Sequence, residues 1–218
     1  MDSPQSQTHT FPLGSSGSRG LLQGGTTGNE LLTTVTGAVL IVLLAVIGIT
    51  IIRLGPLLSV HLFVGLVLVG PLLLKLASTG YRFVGYYTGN PRYRSRGAPP
   101  TPLRLIAPIV VISTVTVMVS GVALLFVGPQ SRSTLLPIHK VSFFIWIAFT
   151  SIHVLGHLPT LLQGLRADYG TRLGGHVTDG RAGRVLSLAS ALVLGVVIAI
   201  LLIPQFGPWL HTHNLHHH

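Results

Sequence analysis

The chain has 218 residues, 48% of them hydrophobic and only 8% charged, and it contains no cysteine. Soluble domains carry about 25% charged residues, so a water-covered globule of this size is excluded, and the missing cysteines exclude disulfides, thiolate metal sites, cysteine-held iron–sulfur clusters and covalent cofactor attachment through CxxCH. The formal net charge is +10, but the arginines lie in short links between apolar runs with no basic, aromatic-studded surface left over, so the charge reads as topology and anionic lipid headgroups and not as nucleic-acid binding.

Residues 1–29 are rich in Ser, Gly, Thr and Gln and read as a disordered cytoplasmic tail. They lack the basic start and short apolar core of a signal peptide. Five apolar runs follow: Leu31–Ile52, Leu57–Ser78, Leu103–Val127, Leu136–Leu162 and Val185–Ile203. Each has roughly the ~20 residues a helix needs to cross ~30 Å of hydrocarbon, and backbone groups in lipid must be paired within the segment, which makes them helices. The expected fold is all-α, an integral membrane bundle of about five helices over residues 30–205, with neighbours antiparallel across links such as Arg53–Pro56. The polar stretch Arg166–Gly183 reads as a surface loop, and residues 206–218 as a C-terminal tail whose final His216–His218 look like part of an expression tag.

Arginines set the expected orientation. Arg82, Arg92, Arg94, Arg96 and Arg104 follow the second run, and Arg166, Arg172, Arg181 and Arg184 follow the fourth, whereas the opposite side holds only Arg53, Arg132 and Lys140. The arginine-rich side is cytoplasmic, which places a multi-pass chain in the cell membrane with its N-terminus inside and its C-terminus outside.

Four histidines fall inside the runs: His61 in the second, and His139, His153 and His157 in the fourth. Ionisable groups in a membrane are costly and mark functional sites, the plain alternative being a hydrogen bond to a neighbouring helix. The spacing favours function. His139 and His153 are fourteen residues apart, four whole turns of a supercoiled helix, so both imidazoles share one face about 21 Å apart along the axis. Two ligands so far apart cannot share one zinc, but they suit two stacked haems. The second and fourth runs are parallel, and His61 and His139 enter them at similar depth near the outer face, the geometry for one haem b held by two histidines.

Fourteen residues after His61 stands Lys75, level with His153. Three readings stay open: a neutral amine ligand with its pKa lowered by burial, a cation pairing a haem propionate, or a lysine snorkelling to the headgroups with no inner haem. His157, one turn below His153, would orient a propionate or serve as a proton site, and inner arginines such as Arg82 would neutralise propionates. Gly65 and Gly70 would give room for a macrocycle or serve helix packing. Pro71 should bend its helix, and Phe143, Phe144 and Trp146 would line a haem edge or face lipid.

Two segments carry a resemblance. Ser59-Val-His61-Leu-Phe-Val-Gly65-Leu-Val-Leu-Val-Gly-Pro-Leu-Leu-Leu-Lys75 resembles a haem-binding helix of bacterial cytochrome b561-type membrane proteins, and Leu136-Pro-Ile-His139 through His153-Val-Leu-Gly-His157 resembles its partner. The loop Tyr81-Arg-Phe-Val-Gly-Tyr-Tyr-Thr-Gly-Asn-Pro-Arg-Tyr-Arg is similar to that of small actinobacterial members. The resemblance covers about half the chain and implies four core helices, haem b and electron transfer beside a redox partner protein or quinone, with His61, His139 and His153 as ligands. It departs at Lys75, where better-known members have histidine, and the first and fifth runs contribute no histidine. The expected function is therefore a membrane b-type cytochrome with one or two haems between the second and fourth helices, an electron-transfer protein or a reductase subunit. The alternative is a non-redox transporter or assembly subunit whose histidines handle protons or cations; the lack of buried carboxylates in the runs counts against it.

Overall fold

A computed structural model of the chain describes residues 25–94, 101–169 and 180–214. Among the described residues all regular structure is helical: α1 (Gly25–Ile52), α2 (Leu54–Val67), α3 (Val69–Tyr87), the short α4 (Pro91–Arg94), α5 (Thr101–Val127), α6 (Leu135–Tyr169), α7 (Arg181–Leu202) and α8 (Gly207–Asn214). Five stretches are long and apolar enough to cross a membrane: Gly28–Ile52, Leu54–Tyr87, Arg104–Val127, Leu135–Pro159 and Arg181–Leu210. Their outward faces are bare hydrocarbon, with Leu201 71%, Phe144 68% and Val42 65% exposed. Water would not tolerate apolar surface on that scale, and lipid does; the chain is a multi-pass membrane protein.

Helix ends run past the apolar runs, because a formed helix propagates at one hydrogen bond per residue with no further nucleation. α1 begins at Gly25, inside the stretch expected to be a disordered tail. α3 continues to Tyr87 and carries Arg82 on a helix instead of a loop. α6 continues to Tyr169, which makes the start of the expected Arg166–Gly183 loop helical. The expected C-terminal tail is folded as far as Asn214: Phe206 is buried, and the Trp209 indole donates to the Leu124 carbonyl at 3.2 Å, docking α8 on the end of α5. The expected disorder of residues 1–24, Arg96 and Arg172, and the tag histidines His216–His218 lie outside the described residues.

α2 and α3 form one span interrupted at Leu68. Three residues on, Pro71 has no N–H to give the Val67 carbonyl, which disrupts the hydrogen-bond ladder there. The backbone at Leu68 keeps helical angles (φ -59°, ψ -27°), and the Val67 carbonyl approaches α7: a Cβ placed on Gly195 would collide with it, just as a Cβ on Gly70 would collide with the Ala191 carbonyl. On α7 small residues recur every fourth position, at Gly183, Ser187, Ala191, Gly195 and Ala199, and all but Ser187 are buried. Lipid tails are as apolar as leucine, so membrane helices are held by close packing rather than by hydrophobic exclusion, and small residues permit the approach. Gly70 therefore serves helix packing.

The bundle is a ring with an appendage. α1 neighbours α6, α6 pairs extensively with α5, α5 touches α2, and the α2–α3 span returns to α1, while α7 packs outside against α1, α2 and α3. The two histidine-bearing spans, α2–α3 and α6, stand diagonally across this ring and hardly approach one another within 8 Å between Cα atoms. The four-helix core thus presents its histidines from opposite sides.

Candidate functional site

The outer level is built around His61 and His139. In α1, Thr50 is the one polar side chain between Ala38 and Ile52, and it is buried. Its hydroxyl donates to the Ile47 carbonyl at 2.6 Å, spending its only hydrogen, so its oxygen accepts from His61 Nδ1 at 2.9 Å. His139 Nδ1 lies 3.0 Å from the Val117 carbonyl and 3.2 Å from the Ser120 hydroxyl. A carbonyl can only accept, and Ser120 itself donates to the Thr116 carbonyl at 2.6 Å, so His139 Nδ1 also carries the hydrogen. Both rings are thereby held in the Nδ1–H tautomer with an Nε2 lone pair to offer, and among the described residues neither Nε2 makes a hydrogen bond. This is the arrangement by which second-shell partners orient histidine ligands and raise their basicity.

The surroundings leave space for the rings and what lies beside them. His139 seats against Gly121 of α5, where a Cβ would stand 3.0 Å from the imidazole Cε1. One turn below His61, a Cβ on Gly65 would meet nothing within 4 Å, in contrast to the crowded Gly70. His61 and His139 are near enough for their charges to interact. A flat iron porphyrin needs two opposed imidazole nitrogens, a gap between their helices and no third protein ligand. At the outer level His61 and His139 would be the two residues to hold it, each with an Nε2 that makes no hydrogen bond among the described residues, where no group of three or more His, Asp or Glu side chains is gathered.

The inner level is different. Lys75 lies within electrostatic reach of His153 and His157. Its Nζ, however, donates to the Thr33 carbonyl of α1 at 2.7 Å and rests on Gly37, where a Cβ would stand 3.1 Å away. The amine is thus turned to α1. His153 and His157 sit together on α6 with ring centroids 4.7 Å apart, and His153 Nδ1 is buried without a hydrogen-bond partner among the described residues. Among the described residues no hydrogen bond joins Lys75 to either imidazole.

A polar seam closes the inner end. The Asn29 amide donates to the Ser78 carbonyl at 3.2 Å, the Thr33 hydroxyl to the Ser78 hydroxyl at 3.0 Å, and Arg82 pairs with Glu30 at 3.3 Å. Arg82 also lies within electrostatic reach of His157 and Lys75. Of the aromatic residues on α6, Phe144 faces outward, whereas Phe143 and Trp146 are half-buried with centroids 6.0 Å apart.

The residues that the sequence alone left without a role are the anchors: Thr50, Val117, Ser120, Thr33, Gly37 and Gly121. Thr50 had a readable signal, a single hydroxyl in an otherwise apolar outer half of α1 at the depth of His61. Val117 had none, because it acts through its backbone carbonyl. Comparisons with protein-family models, with curated proteins and with solved structures return no match to this chain.

Proposed function

We propose that the chain is a membrane b-type cytochrome that holds one haem b at the outer level, through Nε2 of His61 and of His139. The observation that carries this reading is the pair of Nδ1 anchors: two intramembrane imidazoles on diagonal helices, each locked by a different neighbour in the one tautomer that frees Nε2. A histidine serving only to glue helices would spend its ring in such contacts without needing a matching partner at the same depth. When bound, the haem supplies a one-electron couple.

The protein's own residues set the conditions. Thr50 and the Val117 carbonyl hold the imidazoles against rotation, and by accepting from Nδ1–H they increase electron density on Nε2. Gly65 and Gly121 keep side chains out of the space beside the rings. The apolar bundle excludes water, which favours whichever oxidation state carries less net charge. With a single outer haem, the electron donor or acceptor is a redox partner or quinone that reaches the outer half of the membrane. The resemblance of the His61 and His139 helices to cytochrome b561-type proteins agrees with this assignment, and the arginine distribution supports a cytoplasmic N-terminus.

The test is spectroscopic. Protein purified from haem-replete cells should show Soret and alpha bands in an oxidised-minus-reduced spectrum, and His61→Ala and His139→Ala should each abolish them. A pyridine haemochrome assay should return one haem per chain. Colourless protein that is fully folded would overturn the reading.

A further inference from the structure

Two of the five spans end together at the arginine-rich end of the bundle. The span Leu54–Tyr87 has 34 residues, about 51 Å of helix, and Arg104–Val127 has 24, about 36 Å. A bilayer offers ~30 Å of hydrocarbon and ~40–45 Å with its headgroups, so both overrun the hydrocarbon. A guanidinium is costly to leave inside it, which puts Arg104, the first residue of its span, at the edge. Arg104 is tied to Tyr87, the last residue of the other span: its guanidinium donates to the Tyr87 hydroxyl and lies over the ring, 5.4 Å from the centroid. Both residues therefore stand at headgroup depth.

The same place is aromatic. Tyr87 packs against Phe83 with centroids 4.5 Å apart and against Tyr86 at 5.3 Å, yet Phe83 and Tyr87 remain 63% and 53% exposed. Amphipathic rings collect at this depth of a membrane. The charge is one-sided. Arg82 faces Glu30 at 3.3 Å, whereas Arg94 and Arg104 are exposed and neither has an acidic partner among the described residues. A guanidinium has five N–H donors, and Tyr87 accepts from one of them. Because the Tyr87 oxygen accepts from Arg104, its own hydrogen is left to donate.

We propose that Arg104 and Tyr87 form a binding site for the phosphate of one anionic phospholipid in the leaflet at this end. Arg104 supplies the charge and a planar pair of N–H groups that matches phosphate. Tyr87 orients that plane and adds a hydroxyl donor, and the exposed Phe83 ring flanks the start of the acyl chain. Arg94 strengthens the attraction for an anionic leaflet. An acidic protein would satisfy the charge but gives no reason for exposed rings at headgroup depth. The site involves none of the intramembrane histidines and stands whether or not haem binds.

The experiment titrates the purified full chain in neutral detergent with phosphatidylglycerol or with phosphatidylcholine, whose phosphate carries its own cation, and counts retained lipid by native mass spectrometry. The parent should retain phosphatidylglycerol at lower lipid concentration. Arg104→Gln should weaken that retention roughly tenfold, as expected for loss of a charge-assisted hydrogen bond, with Arg104→Lys in between. Tyr87→Phe keeps the ring and should weaken it a few-fold, which carries the test should Arg104→Gln fail to fold. Arg53→Gln, at the opposite end of the bundle, should match the parent. Equal retention of the two lipids by the parent would overturn the proposal and leave this face to a protein partner. Equal weakening in Arg53→Gln and Arg104→Gln, or displacement of the lipid by inorganic phosphate at equal concentration, would overturn it as well.

Discussion

Replacing Thr50 with valine probes the outer site without touching a ligand. Valine matches threonine in shape, so the buried packing of residue 50, only 2% exposed, is kept. What is lost is the oxygen that accepts from His61 Nδ1 at 2.9 Å. Because the position is closed to water, the Nδ1–H would be left unsatisfied, a penalty of about 1–3 kcal/mol. Loss of a second-shell partner to a metal-bound histidine typically weakens metal binding ~10- to 100-fold, which at about 1.4 kcal/mol per tenfold is ~1.4–2.8 kcal/mol. The two estimates coincide, so Thr50→Val should weaken haem binding by one to two orders of magnitude. The assay is titration of haem into haem-depleted protein, followed by Soret absorbance. Thr50→Ser, which retains the oxygen, should lie within a few-fold of the parent. Equal affinity for the parent, Thr50→Val and Thr50→Ser would refute the claim that Thr50 holds His61 for iron.

Three further outcomes follow from the packing. Gly70→Leu should destabilise the fold by at least ~1–3 kcal/mol through overpacking against the Ala191 carbonyl, whereas Gly65→Ala, which meets open space, should leave the unfolding midpoint of haem-depleted protein unchanged within error; thermal unfolding in detergent reads both, and equal effects would contradict the contrast between the two glycines. Gly121→Val should push the His139 ring off its seat, lowering haem occupancy more than it lowers stability, as measured by pyridine haemochrome alongside the unfolding midpoint. Trp209→Phe removes the bond to Leu124 and should cost about 1 kcal/mol by thermal unfolding while leaving the spectrum intact, since it removes neither the Thr50 nor the Val117 anchor of the histidines.

The resemblance and the spacing argument reached the same residues, and the structure separates what each could know. That His139 and His153 stand four turns apart on one helix is readable in the sequence, because rise and rotation per residue are fixed properties of a helix. The five spans were equally readable, because hydropathy over twenty residues is a sum that neighbours do not alter. Their ends were not: Arg82 was assigned to a loop and lies on α3, and residues 206–214 were assigned to a tail and fold against α5, since the indole of Trp209 has a partner that lies 85 positions away in the chain.

Gly65 and Gly70 look alike in the sequence, five residues apart in the same span, yet one borders open space and the other is pressed against α7. Lys75 has three open readings in the sequence, and the groups its amine meets, the Thr33 carbonyl and Gly37, belong to another helix. The tautomers of His61 and His139 depend on Thr50 and on the Val117 carbonyl in the same way. Position along a helix is a local quantity, set by backbone geometry; which partner a side chain meets depends on the order in which helices close the ring and on how near small residues let them come, and only the assembled bundle decides that.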